Sequence, residues 1–217
     1  MKKILIVGAT SGIGESLARM YAESRDVRIG VTGRRRERLE NLCASSPGRF
    51  EMEACDMTDT VAMEAALDRL AGRMEGVDLL VLSAGTGNLN PELDYGVEWP
   101  ALATNIIGWT AVVDWAVKHF ERQGHGHLAA ITSAGGLRGS GAAPAYNASK
   151  AFQMNYLEGI RQRLAGKRLP VYVTDIRPGF VDTAMAKGEG LFWVSPVEKA
   201  CRQIVRAIER RKRVAYI

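Results

Sequence analysis

A chain of 217 residues, 47% hydrophobic and 24% charged, has the balance of a packed globular domain and is long enough to bury a sizeable core. No apolar run approaches the roughly 18–20 residues that cross a bilayer, and the start, MKKILIVGAT, passes from a very short apolar stretch straight into a glycine turn, unlike a signal peptide. The net charge of +5 gathers in Arg34-Arg35-Arg36 and Arg210-Arg211-Lys212-Arg213 without interleaved aromatics, so no nucleic-acid partner is expected.

Apolar strands and helical patterns alternate from end to end. Residues 4–7 read as a buried strand and 12–24 as a helix with Ile13, Leu17 and Met20 on one face. A second strand over 27–32 leads into a charged helix over 35–44. A third strand over 50–55 precedes an amphipathic helix over 59–74, with Asp59 as its cap. A fourth strand is expected at 77–82, a long helix at 99–120 and a fifth strand at 127–132. A helix at 145–164 and a sixth strand at 170–176 follow. Ser195-Pro196 reads as the cap and first turn of a last helix, and 213–217 as a short seventh strand. Strands alternating with helices, several of them continuously apolar, predict a parallel sheet covered on both faces. The chain therefore reads as one α/β domain over residues 1–217, a doubly wound Rossmann-type sheet of about seven strands. Ligands of such sheets sit at the carboxyl ends of the strands.

The first strand ends in Gly8-Ala9-Thr10-Ser11-Gly12-Ile13-Gly14. Glycines let the backbone approach a pyrophosphate, and the helix that follows offers its N-terminal amides, so this turn points to a dinucleotide. About 20 residues on, a carboxylate would hold the ribose hydroxyls of NAD. The second strand instead ends in Thr32-Gly33-Arg34-Arg35. Arg34 can pair with a 2′-phosphate and stack on adenine, with hydroxyls from Thr10 and Ser11, so NADP is the expected cofactor.

In Ala145-Tyr146-Asn147-Ala148-Ser149-Lys150-Ala151 a tyrosine precedes a lysine by four residues, which puts both on one helix face. An ammonium beside a phenol stabilises the phenolate and lowers its pKa, which suits proton exchange near neutral pH. Cys43, Cys55 and Cys201 are widely spaced and form no CxxC pair, which argues against a disulfide framework or zinc site and for a reducing, cytoplasmic compartment. His125 and His127 are expected in a solvated turn rather than at a metal, and His119 as a cation at a helix end.

With the glycine turn, Tyr146 and Lys150 in order, the chain resembles the short-chain dehydrogenase/reductase family along essentially its whole length. Gly8, Gly12 and Gly14, with Ile13 between them, match the cofactor turn. Asp56, followed by Met57, matches the residue that meets adenine. Leu82-Ser83-Ala84-Gly85 matches the family's Asn-Asn-Ala-Gly stretch. Asn105, Ser133, Tyr146 and Lys150 match its catalytic tetrad. Pro178-Gly179, Val181 and Thr183 match the segment that holds the nicotinamide carboxamide. Two departures stand out. Val7 replaces the usual threonine and Ser83 a second asparagine, so altered support of the central strands is expected.

The resemblance implies that Tyr146 protonates the substrate oxygen or deprotonates the alcohol. Lys150 lowers the tyrosine pKa and binds the nicotinamide ribose. Ser133 polarises the carbonyl, and Asn105, at a helix kink, holds a water that links Lys150 to solvent. It implies a small carbonyl or alcohol substrate and a homodimer built on the helices that carry Trp109 and Tyr156. Met185, Leu191, Phe192 and Trp193, within residues 184–194, are expected to cover the substrate or to pack as ordinary core. Membrane contact is expected only through a longer tail after the basic run at Arg210. A silent NADP-binding sensor or scaffold is the alternative reading, and the complete tetrad argues against it. An epimerase or dehydratase would need a larger substrate domain.

Overall fold

The computed structural model describes residues 1–184 and 193–217. Seven strands form one parallel sheet in the order β3-β2-β1-β4-β5-β6-β7. They are β1 (Lys2–Val7), β2 (Val27–Gly33), β3 (Phe50–Ala54), β4 (Leu79–Leu82), β5 (Gly126–Ile131), β6 (Val171–Arg177) and β7 (Val214–Tyr216). The chain builds outward from β1 to β3, then returns to pair β4 on the other side of β1, with Ile4 opposite Leu79 and Val7 opposite Leu82. That reversal is the switch point where ligands of doubly wound sheets bind.

The uninterrupted apolar strands follow from burial on both faces. Leu5, Val7, Leu80, Leu82, Leu128 and Ala130 point into one core. Their strand neighbours Ile4, Ile6, Leu79, Val81, Ala129 and Ile131 point into the other. The first core is closed by α3 (Thr60–Met74), α5 (Trp109–Gln123) and α6 (Pro144–Ala165), through residues such as Leu70, Trp109 and Leu157. The second is closed by α1 (Gly12–Ala22), α2 (Arg36–Ala44) and α7 (Val197–Glu209), through Leu17, Leu39 and Ile204.

Four expectations need correction. The long helix begins earlier and is not uniform. It comprises α4 (Tyr95–Leu102), capped by Asp94, a π-helical segment over Ala103–Gly108, and α5. Ser195 does not cap α7. It bridges to Val181, and Pro196 stands at the cap. His127 lies buried in β5, bonded to Thr174 Oγ1 at 2.8 Å. Burial lowers its pKa to about 4, so it is neutral. His119 stacks on Trp115, and burial lowers its pKa as well, so it is no helix-end cation. His125 is exposed and contacts Asp78. Asp59 caps α3 as expected, accepting from the Ala62 amide.

Candidate active site

At the switch point the glycine turn is pressed against the end of β4. A Cβ on Gly8, whose φ is +92°, would stand 2.5 Å from the Ala84 nitrogen, and one on Gly14 would stand 2.1 Å from the Gly8 oxygen. Neither contact tolerates a side chain, so the close approach requires glycine. The Val7 carbonyl accepts from the Ser83 and Ala84 amides at 2.8 and 2.9 Å. This tie between β1 and β4 is main-chain, so valine at 7 and serine at 83 leave it intact. Ser11 stands at the cap of α1 but makes no side-chain cap bond there. The first amides of α1, at the positive end of the helix dipole, are thereby left without a side-chain acceptor, an arrangement suited to an anion. Thr183 reaches this turn from the other side. Its methyl group would lie 3.3 Å from a Cβ on Gly12.

Three guanidiniums crowd the end of β2. Arg35 donates from Nη2 to Thr10 Oγ1 at 2.7 Å and to Ser11 Oγ at 2.8 Å. Arg38 reaches the Thr10 carbonyl at 3.4 Å. Arg34 is mostly exposed, 3.7 Å from Asp56 Oδ2. Burial and then the neighbouring Arg38 and Arg34 lower the pKa of Arg35. Such repulsion is relieved by an anion, and the donor set of guanidiniums and hydroxyls fits a phosphate. The sequence reading named Arg34 for this role. The structure builds Arg35 into the turn and leaves Arg34 at its rim. Asp56 is held below the usual carboxylate range. Burial pushes it up, but the Thr58 amide and hydroxyl and Arg34 outweigh that. Met57 is buried in the first core. Ile13 packs on the second core, and its carbonyl accepts from Cys201 Sγ at 3.7 Å.

Beyond the glycine turn, β5, α6 and the π-helical segment bring the four tetrad positions together. Ser133 follows β5, and its Oγ accepts from the Gly135 amide at 3.0 Å. Tyr146 sits in the first turn of α6. A Cβ on Gly87 would stand 2.3 Å from the ring, so only glycine lets the chain pass there. Burial raises the Tyr146 pKa, and a hydrogen bond with Ser133 draws it back. That downward pull comes from the Ser133 side chain. Lys150 Nζ lies 5.7 Å from the Tyr146 ring centroid. The lysine is buried, which lowers its pKa to about 8, against a smaller upward pull from Asp175. Asn105 is fully buried and clamps Thr86 by both main-chain groups, at 2.9 and 2.7 Å, and donates to Ser149 Oγ at 3.0 Å. The expected kink is the π-helical segment. The Gln153 carboxamide also joins Asn105 to Lys150. Gln153 Nε2 donates to the Asn105 carbonyl at 2.8 Å, and Gln153 Oε1 accepts from Lys150 at 3.1 Å.

A family model described as short chain dehydrogenase matches residues 2–191. The chain belongs to the short-chain dehydrogenase family. It is an oxidoreductase of that family. An uncharacterised oxidoreductase of Mycobacterium tuberculosis is 30% identical over 220 residues, covering 96% of this chain and 85% of its own. One from Myxococcus xanthus is 33% identical over 192 residues, covering 83% and 72%. Among solved structures, the actinorhodin polyketide ketoreductase with NADPH superposes with a TM-score of 0.86 at 23% identity, over 100% of this chain and 95% of that one. Serine dehydrogenase complexed with NADP+ gives 0.88 at 24% identity, over 99% and 94%. At that identity the likeness is one of fold.

In this short-chain dehydrogenase the remaining expected positions line the carboxyl edge of β6. The Pro178 carbonyl accepts from the Ala134 amide at 2.9 Å, which ties the β6 loop to the Ser133 loop. The Gly179 amide donates to Ile217 at 3.0 Å, and Val181 is buried. The expected cover residues Met185, Leu191 and Phe192 lie outside the described residues. Trp193 is 91% exposed. Arg35, Arg38 and Gln153 escaped the sequence reading. Arg35 was visible as the second cation of the run. Gln153 had one signal, a polar residue three positions after Lys150 on the same helix face. Among the described residues no helix is long and apolar enough to cross a membrane.

Proposed function

We propose that this oxidoreductase is an NADP(H)-dependent carbonyl reductase, working in reverse as an alcohol dehydrogenase on a small-molecule substrate. The observation that carries the reading is the convergence of Ser133, Tyr146 and a buried Lys150 beside the glycine turn. The dinucleotide, when bound, supplies or accepts the hydride. Gly8, Gly12, Gly14 and the α1 amides would hold its pyrophosphate. Arg34 and Arg35, with Thr10 and Ser11, would hold a 2′-phosphate. Asp56 would face adenine, and Pro178, Gly179, Val181 and Thr183 the carboxamide. The solved ketoreductase and serine dehydrogenase carry NADPH and NADP+, which supports this preference.

The Ser133 hydroxyl polarises the carbonyl oxygen by donating to it. Tyr146 gives that oxygen its proton. The phenol keeps its proton at neutral pH, so it is ready to act as the acid in reduction. Lys150, as an ammonium, stabilises the phenolate left behind. A cytoplasmic homodimer completes the proposal. Ala148, Ala151, Asn155 and Gly159 form an exposed row along α6 on which a second copy can lie.

The test is NADPH consumption with a panel of aldehydes, ketones and keto-acyl compounds, run on the wild type and Tyr146→Phe. Loss of the phenolic proton is expected to lower kcat by about 10²–10⁴-fold. Tight NADPH binding with no turnover on any compound would favour the sensor reading.

A further inference from the structure

We propose that Gln153 is a positioning residue of this reaction: its carboxamide bridges the Asn105 carbonyl and the Lys150 ammonium and sets where that ammonium stands relative to Tyr146. The inference rests on the proposed function for its catalytic meaning and on geometry for the bridge. Gln153 is wholly buried. Burying a carboxamide is costly unless both ends are satisfied, and here both are, by Asn105 O at 2.8 Å and Lys150 Nζ at 3.1 Å. The π-helical segment makes this possible. In an α-helix the Trp109 amide would bond to Asn105. Here it bonds to Thr104 and Ile106, so the Asn105 carbonyl is passed over and turns to Gln153.

Lys150 has three N–H donors. One goes to Gln153, and one makes a long 3.4 Å contact with the Ile131 carbonyl. The remaining side faces Gly85, where a Cβ would stand only 3.4 Å from Nζ. The carboxamide therefore fixes the ammonium's direction. The titratable groups around Lys150 are Tyr146 on its own helix and Asp175 on β6. Asn105 and Gly85, on the facing segments, are neutral.

The test follows the Lys150 ε-carbon by NMR through a pH titration, with the resonance assigned by its loss in Lys150→Met. Gln153 Oε1 stabilises the charged lysine, so Gln153→Met should move its midpoint down by about one pH unit, and Gln153→Glu should move it up by about as much. In carbonyl reduction, Gln153→Met should lose about tenfold in kcat with KM within about twofold, the split expected when a group acts through the transition state alone. A residue that merely fills space would not move the two midpoints in opposite directions. Midpoints that stay put, or shift the same way in both variants, overturn the proposal. If Gln153→Met does not fold, the isosteric Gln153→Glu decides alone: a raised midpoint supports the bridge, and an unmoved one refutes it. If the wild type reduces no carbonyl while the midpoints still separate, the bridge stands and the reading of the reaction falls.

Discussion

Lys150 shows what the site costs. Its ammonium is buried without a carboxylate in hydrogen-bond contact, and its pKa falls from 10.5 to about 8. At about 1.4 kcal/mol per unit, that burial opposes folding by about 3 kcal/mol at neutral pH. Removing the lysine would strand Gln153 Oε1, a loss of about 1 kcal/mol. Lys150→Met is therefore expected to gain about 2 kcal/mol in stability at neutral pH and to lose carbonyl reduction. The sign is open to a check. The unfolded chain binds the proton more tightly, so the wild type regains stability as pH rises from about 8 towards 10.5, and the gap to the variant should close there. Chemical denaturation near neutrality and near pH ~10 measures both arms. The four-residue spacing of Tyr146 and Lys150 was legible because helical periodicity is local. The bond between Ser133 and the phenol was not, since Ser133 approaches from another strand end.

Among the elements, the β2–α2 junction gathers the cations proposed to set cofactor choice. Arg35 donates to two hydroxyls of the glycine turn, and Arg38 and Arg34 flank it. A charge-assisted hydrogen bond contributes about 1.5–3 kcal/mol. Arg35→Ala is accordingly expected to raise KM for NADPH by about 10–100-fold and to leave KM for NADH nearly unchanged. Equal losses with both cofactors would place Arg35 in the scaffold of the turn alone. Sequence reading located the cation cluster and named Arg34, while the bonds to the turn hydroxyls are made by Arg35. At a strand end successive side chains point to opposite sides, so neighbouring arginines differ in whether they meet the turn. The early start of α4 was hidden by Pro100 inside it. The π-helical segment was legible only as a kink at Asn105, because the pairing that stabilises it joins Asn105 to Gln153, 48 positions away.

For the molecule as a whole, the alternation of apolar strands and helices foretold a seven-stranded parallel sheet, because burial on both faces leaves a direct mark on composition. Histidine burial leaves no such mark, and His127 was misplaced for that reason. Its burial contributes to the acid sensitivity of the fold. His127 is neutral in the folded chain down to about pH 4, whereas the unfolded chain takes up its proton from about 6.5 downward. Stability is thus fully present above about 6.5 and falls as pH drops towards 4, by about 3 kcal/mol in total. His127→Gln is expected to remove that part of the slope in denaturation curves taken between those pH values. Identical slopes in the two proteins would mean that other groups govern acid unfolding.

The central claim is that Tyr146 protonates a carbonyl that receives its hydride from NADPH. The most direct measurement follows deuterium from the reactive nicotinamide carbon of labelled NADPH into the alcohol product, in the wild type and in Tyr146→Phe. The account predicts label at the former carbonyl carbon in the wild type and almost none formed by the variant. Unlabelled alcohol from the wild type, or labelled alcohol formed equally fast by Tyr146→Phe, would contradict it.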